Sequence, residues 1–315
     1  MRIFLRYAQI VPNKLSNYVG KNLQCLVEDP QFFFMRKIAR LEIARQLMRL
    51  TYRQSKITET KYHASLLSNL DINFVAEQLH QWGCYTGLVL PQAVTQEILE
   101  FAQTHTCWGD RNPNLPFQLS DKTASEEQLG KNFMIGSYRD THHQCPAIRK
   151  IIADPGLLEI ASKYLGTPAV YVASELAWSF PTSSTHKEQL KAAQVFHYDI
   201  DDYACVKFFF YLTPVTETEG PHIYLLKSHK NKQLLHQLIG QRVAGIPDQL
   251  LERQYGPENV LTICGPAGSG FVEDIFGFHK GLPPRAGNRL LLQIEFATRT
   301  YSDIRRFERV SRRLS

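Results

Sequence analysis

The sequence predicts a mainly β protein with a helical flank, built as an antiparallel sandwich or barrel, and three observations carry that prediction. From Pro168 onward, β-branched and aromatic clusters alternate with turn residues: AVYVASELAWSF, QVFHYDI, CVKFFFYLTPV, HIYLL and NRLLLQIEFA. Apart from a polar helical insert at 231–255, no helical pattern separates these runs, which disfavours a parallel sheet built from crossover helices. Before residue 105 the apolar residues recur instead at helical spacing.

Taken in chain order, residues 32–57 read as an amphipathic helix or helix pair. Ile38, Leu41, Leu47 and Leu50 repeat on one face, and Arg45, Arg49 and Arg53 on another that is expected to be solvated. A second helix is expected at 72–82, with Val75, Leu79 and Trp82 inward, Asp71 or Asn73 as cap and Gly83 as stop. After the apolar run TGLVL, Pro91 opens a third, with Val94, Ile98 and Phe101 inward. Residues 106–150, rich in Asn, Asp, Pro and His, read as loop.

Composition narrows the function classes. The chain has 315 residues, 43% hydrophobic and 21% charged, which suits one large β-rich domain with additions and excludes collagen, a long coiled coil or wholesale disorder. No stretch approaches the ~18 consecutive apolar residues of a membrane-spanning helix. Arg6 breaks the only apolar run near the N-terminus, a poor signal peptide. Six separated cysteines without a CxxC pair argue against a zinc ribbon or disulfide scaffold and suit reduced thiols in a cytoplasmic protein. The net charge of +6 is concentrated at the ends: +7 over residues 1–60 and +4 over 299–315, leaving −5 between. That middle does not suit nucleic acid; the basic ends suit an acidic partner or a membrane surface, or simply solvated helix faces.

Two spots carry chemistry. In Phe196-His197-Tyr198-Asp199, His197 and Asp199 are two apart and project together if the segment is a strand. They supply two corners of a two-histidine, one-carboxylate iron triad, although the spacing also describes an ordinary surface pair. The second spot is EDIFGFHKGLPPRAGNRLLLQIEFA. His279 ends one apolar run, Arg289 begins another, and glycines and prolines mark a turn between. A hairpin folded near residue 284 would pair the two directly, putting an arginine fork beside a metal-binding histidine where it could grip a dicarboxylate whose other end chelates the metal. No GxSxG elbow and no GK[ST] accompany these motifs, which disfavours serine-hydrolase and P-loop chemistry.

The stretches FHYDIDD, KFFFYLTPVTETEGPHIYLLKSHK and HKGLPPRAGNRLLLQIEF together resemble the phytanoyl-CoA dioxygenase-like family of Fe(II)/2-oxoglutarate-dependent oxygenases. The resemblance implies a double-stranded β-helix (a jelly-roll, cupin-like fold) over 71–298, with 1–70 a basic helical extension and 299–315 a basic tail. It implies that His197, Asp199 and His279 ligate Fe(II) and that Arg289 holds the distal carboxylate of 2-oxoglutarate. With O2 as the third reactant, a small organic substrate would be hydroxylated or otherwise oxidised as succinate and CO2 are released. The retained Asp199 argues against halogenation. Lys227 departs from the family's usual glycine before Ser-His, and Gly220 would turn the preceding hairpin. Phe196, Tyr198, Phe208, Phe210, Tyr211 and Trp178 are candidates for dry pocket walls, although strand alternation lets only about half face inward and each reads equally as core; His142 and His143 read as solvated loop histidines, with a place in a lid made from 106–150 as the lesser alternative; His222, His229 and His236 read as structural. A catalytically silent jelly-roll binding module, or a metal-dependent hydrolase using the same ligands, are the competing functions.

Overall fold

A computed structural model describes residue 20 and residues 22–52, 65–67 and 70–301. The three expected helices form with the expected punctuation. Helices α1 (Pro30–Ile38) and α2 (Glu42–Thr51) occupy the first amphipathic stretch, and Arg53 and the rest of its C-terminal end lie outside the described residues. In α3 (Ile72–Trp82) the Asp71 side chain accepts the Phe74 N–H at 3.0 Å, and Gly83 ends the helix at φ 84°. Only glycine fits there, because a Cβ would meet His229 Nδ1 and Tyr224 Oη at 2.4 Å. Pro91 precedes α4 (Gln92–Thr104).

Among the described residues, eleven strands form two antiparallel sheets. The larger runs β1 (Cys84–Val89), β9 (Ser269–Asp274), β6 (Cys205–Tyr211), β11 (Arg289–Ala297), β5 (Val170–Ser179), β4 (Ile135–Ser137), β2 (Cys107–Gly109) and β3 (Pro116–Phe117). The smaller runs β10 (His279–Gly281), β7 (His222–Leu225) and β8 (Val260–Ile263), with a further bridge between His197 and His279. This is the jelly-roll arrangement. Strand alternation decides which residues do what. On β5, β6 and β11 the residues Leu176, Trp178, Phe208, Phe210, Leu290, Leu292, Ile294 and Phe296 pack with α3, α4 and helix α5 (Pro155–Leu165) in the largest core cluster. Their neighbours Glu175, Ala177, Ser179, Lys207, Phe209, Arg289, Leu291, Gln293 and Glu295 face the other way and line a cavity of about 590 Å³.

Four readings of the sequence are corrected. Residues 106–150 are not a loop, since they hold β2, β3, β4 and short helices stabilised within the larger sheet. His279 and Arg289 do not pair across a hairpin: β10 joins β7 in the smaller sheet, whereas Arg289 stands opposite Ser179 of β5, so residues 282–288 cross from one sheet to the other. His197 belongs to no named strand and makes a single bridge. Helix α2 is turned over: Leu47 and Leu50 are 59% and 83% exposed, and Arg45 is 4% exposed. The reason is Asp274, buried at the end of β9, which Arg45 Nη2 reaches at 3.2 Å and Arg49 Nη2 at 3.5 Å, with the Tyr164 hydroxyl also donating to it. A buried carboxylate demands compensation, and that demand outweighs burying two leucines.

The turn after β7 keeps its shape without glycine. Lys227 takes φ 65°, its N–H donates to Trp82 O at 2.8 Å, and its ammonium lies 4.4 Å from the centre of the Trp82 ring. Gly220 takes φ 77° with Leu282 O only 2.3 Å from where a Cβ would stand, but the expected hairpin does not form: β6 and β7 lie in different sheets, and the chain crosses between them here.

Candidate metal centre

His197 and His279 exchange both backbone hydrogen bonds, at 3.1 and 2.9 Å, the narrow pairing that sets side chains side by side. Their ring centres are 4.4 Å apart. Asp199, two residues on, is fixed by its N–H donating to Ile275 O at 2.8 Å. The outcome is a cluster in which one ligand atom each from His197, Asp199 and His279 lies within 4.8 Å of the others. These three are the histidines and the aspartate singled out from sequence.

The imidazoles are oriented by their backbone. His197 Nδ1 lies 2.9 Å from Val195 O, and His279 Nδ1 lies 3.0 Å from Gly277 O. A carbonyl can only accept, so each Nδ1 carries the proton and each Nε2 keeps its lone pair for a metal. Burial pushes the His279 imidazole down to about 4, with Glu273 opposing, so it is neutral at physiological pH. Burial also opposes charge on Asp199, but the Lys207 ammonium at 3.0 Å and the two imidazoles outweigh it and hold the carboxyl well below the usual carboxylate range. His279 and Asp199 are thus in the protonation state that ligation needs.

Arg289 lines the same cavity. Its Nη2 donates to Ser179 Oγ at 3.1 Å, and the guanidinium comes within 3.2 Å of where a Cβ on Gly281 would stand, two residues from His279. Among the described residues no carboxylate lies within ion-pair distance of it, and its buried Nε has no hydrogen-bond partner. A buried guanidinium remains charged, and leaving it uncompensated is costly, so the site is built for an incoming anion.

Sequence reasoning missed His222 and Glu273. His222, read as structural, lines the cavity and lies parallel to His279, with ring centres 5.7 Å apart and an 18° tilt. Its Nε2 is 2.9 Å from Glu273, whose carboxyl burial pushes up to about 7. An inward His on β7 beside an inward Glu on β9 was the available signal. The aromatics named from sequence do not line the cavity; they are core, and Phe209, Phe32 and Tyr301 line it instead. His142 and His143 sit on a helical turn over Thr141–Gln144 and do not line the cavity, whereas Arg111 and Ile135 from the same region do.

The chain is similar to several solved structures of non-haem iron enzymes. The chain is similar to the non-haem α-ketoglutarate-dependent epimerase SnoN from nogalamycin biosynthesis (13% identity over 72% of this chain and 82% of the other, TM-score 0.47). It is also similar to the non-haem monooxygenase ThoJ (16%, 71% and 77%, 0.48) and to EctD from S. alaskensis with bound iron (14%, 75% and 79%, 0.48). No protein-family model matches the chain. No curated protein matches it either. All six cysteines are free thiols, and among the described residues no helix is long and apolar enough to cross a membrane.

Proposed function

We propose that the protein is an Fe(II)/2-oxoglutarate-dependent oxygenase that oxidises a small organic substrate. One observation carries the reading: a facial set of two imidazoles and a carboxylate shares a cavity with a buried arginine that lacks an anion. In this reading His197, Asp199 and His279 hold iron through Nε2, a carboxylate oxygen and Nε2. Arg289, steadied by Ser179, takes the distal carboxylate of 2-oxoglutarate in a fork that a lysine could not reproduce. Bound iron supplies the O2-dependent decarboxylation of 2-oxoglutarate to succinate and CO2, with the oxidising power passed to the substrate. The chain's own residues position the reactants and keep water out, with Phe209 and Leu291 as dry walls beside Arg289. The oxygenase unit is assigned to residues 71–298, with 1–70 and 299–315 as additions of which Phe32 and Tyr301 reach the cavity.

The test is anaerobic titration of the purified protein with Fe(II) and then 2-oxoglutarate. The visible absorption band of the chelate should appear in the parent protein and vanish in His197→Ala. Succinate formation on admitting O2 should be lost in Arg289→Ala. Zinc-supported turnover without O2 would instead establish the hydrolase alternative, and iron binding without 2-oxoglutarate binding the silent module.

A further inference from the structure

Besides Arg289 and Arg36, the cavity is lined by an arginine placed by a strained turn. Gly109–Asn112 closes through the Asn112 N–H donating to Gly109 O at 2.9 Å, and both central residues, Asp110 (φ 50°) and Arg111 (φ 60°), are left-handed. The second position of such a turn favours glycine, and arginine there is disfavoured by its Cβ. The turn is held by Asp110, whose carboxylate accepts the Met134 and Ile135 N–H groups at 2.9 and 3.3 Å and pairs with Lys131. What the strain achieves is delivery of the Arg111 side chain to the cavity, where Nε donates to Glu175 Oε1 at 2.6 Å.

That pair is half used. Among the described residues, neither terminal nitrogen of Arg111 donates a hydrogen bond and Glu175 Oε2 accepts none. Gln293, opposite Glu175 in the sheet register, also lines the cavity with its amide uncommitted. Lys207, one of several further cations lining the cavity, is engaged by Asp199 and Glu295. Glu175 lies four residues along β5 from Ser179, about 13 Å from the Arg289 end, so Arg111 and Arg289 serve different parts of the cavity.

Resting on the oxygenase reading above, we propose that Arg111 and Glu175 are its specificity-determining pair and that the substrate is a small amino-acid-like zwitterion. Arg111 Nη1 and Nη2 clasp the substrate carboxylate, Glu175 Oε2 receives its ammonium, and Gln293 adds a neutral hydrogen bond. An acyl chain in the same place would strand a desolvated ion pair against hydrocarbon, which selects against lipid-like substrates.

The experiment is calorimetric titration under argon of the Fe(II)- and 2-oxoglutarate-loaded protein with the twenty standard amino acids, β-alanine and γ-aminobutyrate. Succinate formation is measured in parallel. At least one free amino acid should bind and stimulate succinate formation about 10-fold or more, and its N-acetyl and methyl-ester forms should bind at least ~10-fold more weakly. Arg111→Gln should weaken binding about 100-fold and Arg111→Lys about 10-fold, because lysine restores the charge without the fork. Both variants should keep 2-oxoglutarate affinity. Failure of every zwitterion to bind a protein that still binds iron and 2-oxoglutarate overturns the proposal, as does unchanged binding in Arg111→Gln or a parallel fall in 2-oxoglutarate affinity. Loss of iron or 2-oxoglutarate binding in the parent protein overturns the oxygenase reading instead.

Discussion

Lys207 Nζ lies 3.0 Å from Asp199 Oδ2 and 3.6 Å from Glu295 Oε2, so an ammonium neutralises the carboxylate that the proposed iron would share. Removing one partner of a buried pair strands the other's charge, so Lys207→Met should cost about 3–5 kcal/mol in the metal-free protein. A divalent ion at the triad would then supply the missing positive charge. Adding Ni(II) should therefore recover more stability in Lys207→Met than in the parent, read as urea midpoints with and without metal. Equal metal effects in the two proteins would contradict a metal site at Asp199.

Arg45 ties α2 to the end of β9. Arg45→Ala leaves the buried Asp274 short of its best-placed cation and should lower stability by about 3–5 kcal/mol. Leu50→Ala on the exposed face of the same helix should change stability by less than about 0.5 kcal/mol. Chemical denaturation of the two variants checks the inverted orientation, and the opposite ranking would restore the apolar-inward reading.

The His229 imidazole, lodged under α3, is pushed down by burial to about 4. Its folded-state affinity for protons is thus below that of the unfolded chain, which binds more protons between pH 6.5 and 4. Stability attributable to it is present above 6.5 and is lost as pH falls through that window, by up to roughly 3 kcal/mol. Denaturation midpoints of the metal-free protein across pH 4–7 should show this slope, and His229→Asn should reduce it, the remainder coming from the similarly depressed His279 and His222.

Lys232 is buried with its Nζ 3.5 Å from the Phe278 ring centre and 4.1 Å from that of Tyr198, and Nζ has no hydrogen-bond partner. Burial drives its pKa well below the usual lysine value, so the neutral amine is an ill-satisfied group in an aromatic cage. Lys232→Met keeps the volume and removes the polar atom, and should stabilise the fold by about 1 kcal/mol, measured by urea denaturation.

Much of the architecture was legible because strand alternation and helix punctuation are local. Asp71 and Gly83 bound a helix as their chemistry dictates, and NRLLLQIEFA reads as a buried strand. The His197–Asp199 pair was legible for the same reason, since their spacing needs only extended backbone, whereas His279, 80 residues on, joined them only through the resemblance carried by HKGLPPRAGNRLLLQIEF. The partner of Arg289 was not, because the chain between 281 and 289 can close a hairpin or cross between sheets, and only the packing of both sheets decides. The orientation of α2 depends on Asp274, more than two hundred residues away, and no helical wheel contains it. Arg111 was hidden in a segment that reads as loop, although the lone Glu in SELAWS, on an otherwise apolar strand, signals an inward charge seeking a partner.

The central claim is that His197, Asp199 and His279 hold one divalent ion. Anomalous diffraction at the iron edge, from crystals grown anaerobically with Fe(II), tests it most directly. The account predicts one strong peak roughly 2.0–2.2 Å from His197 Nε2, His279 Nε2 and an Asp199 oxygen. A cavity without iron in crystals saturated with it, or a peak bound elsewhere, would contradict it.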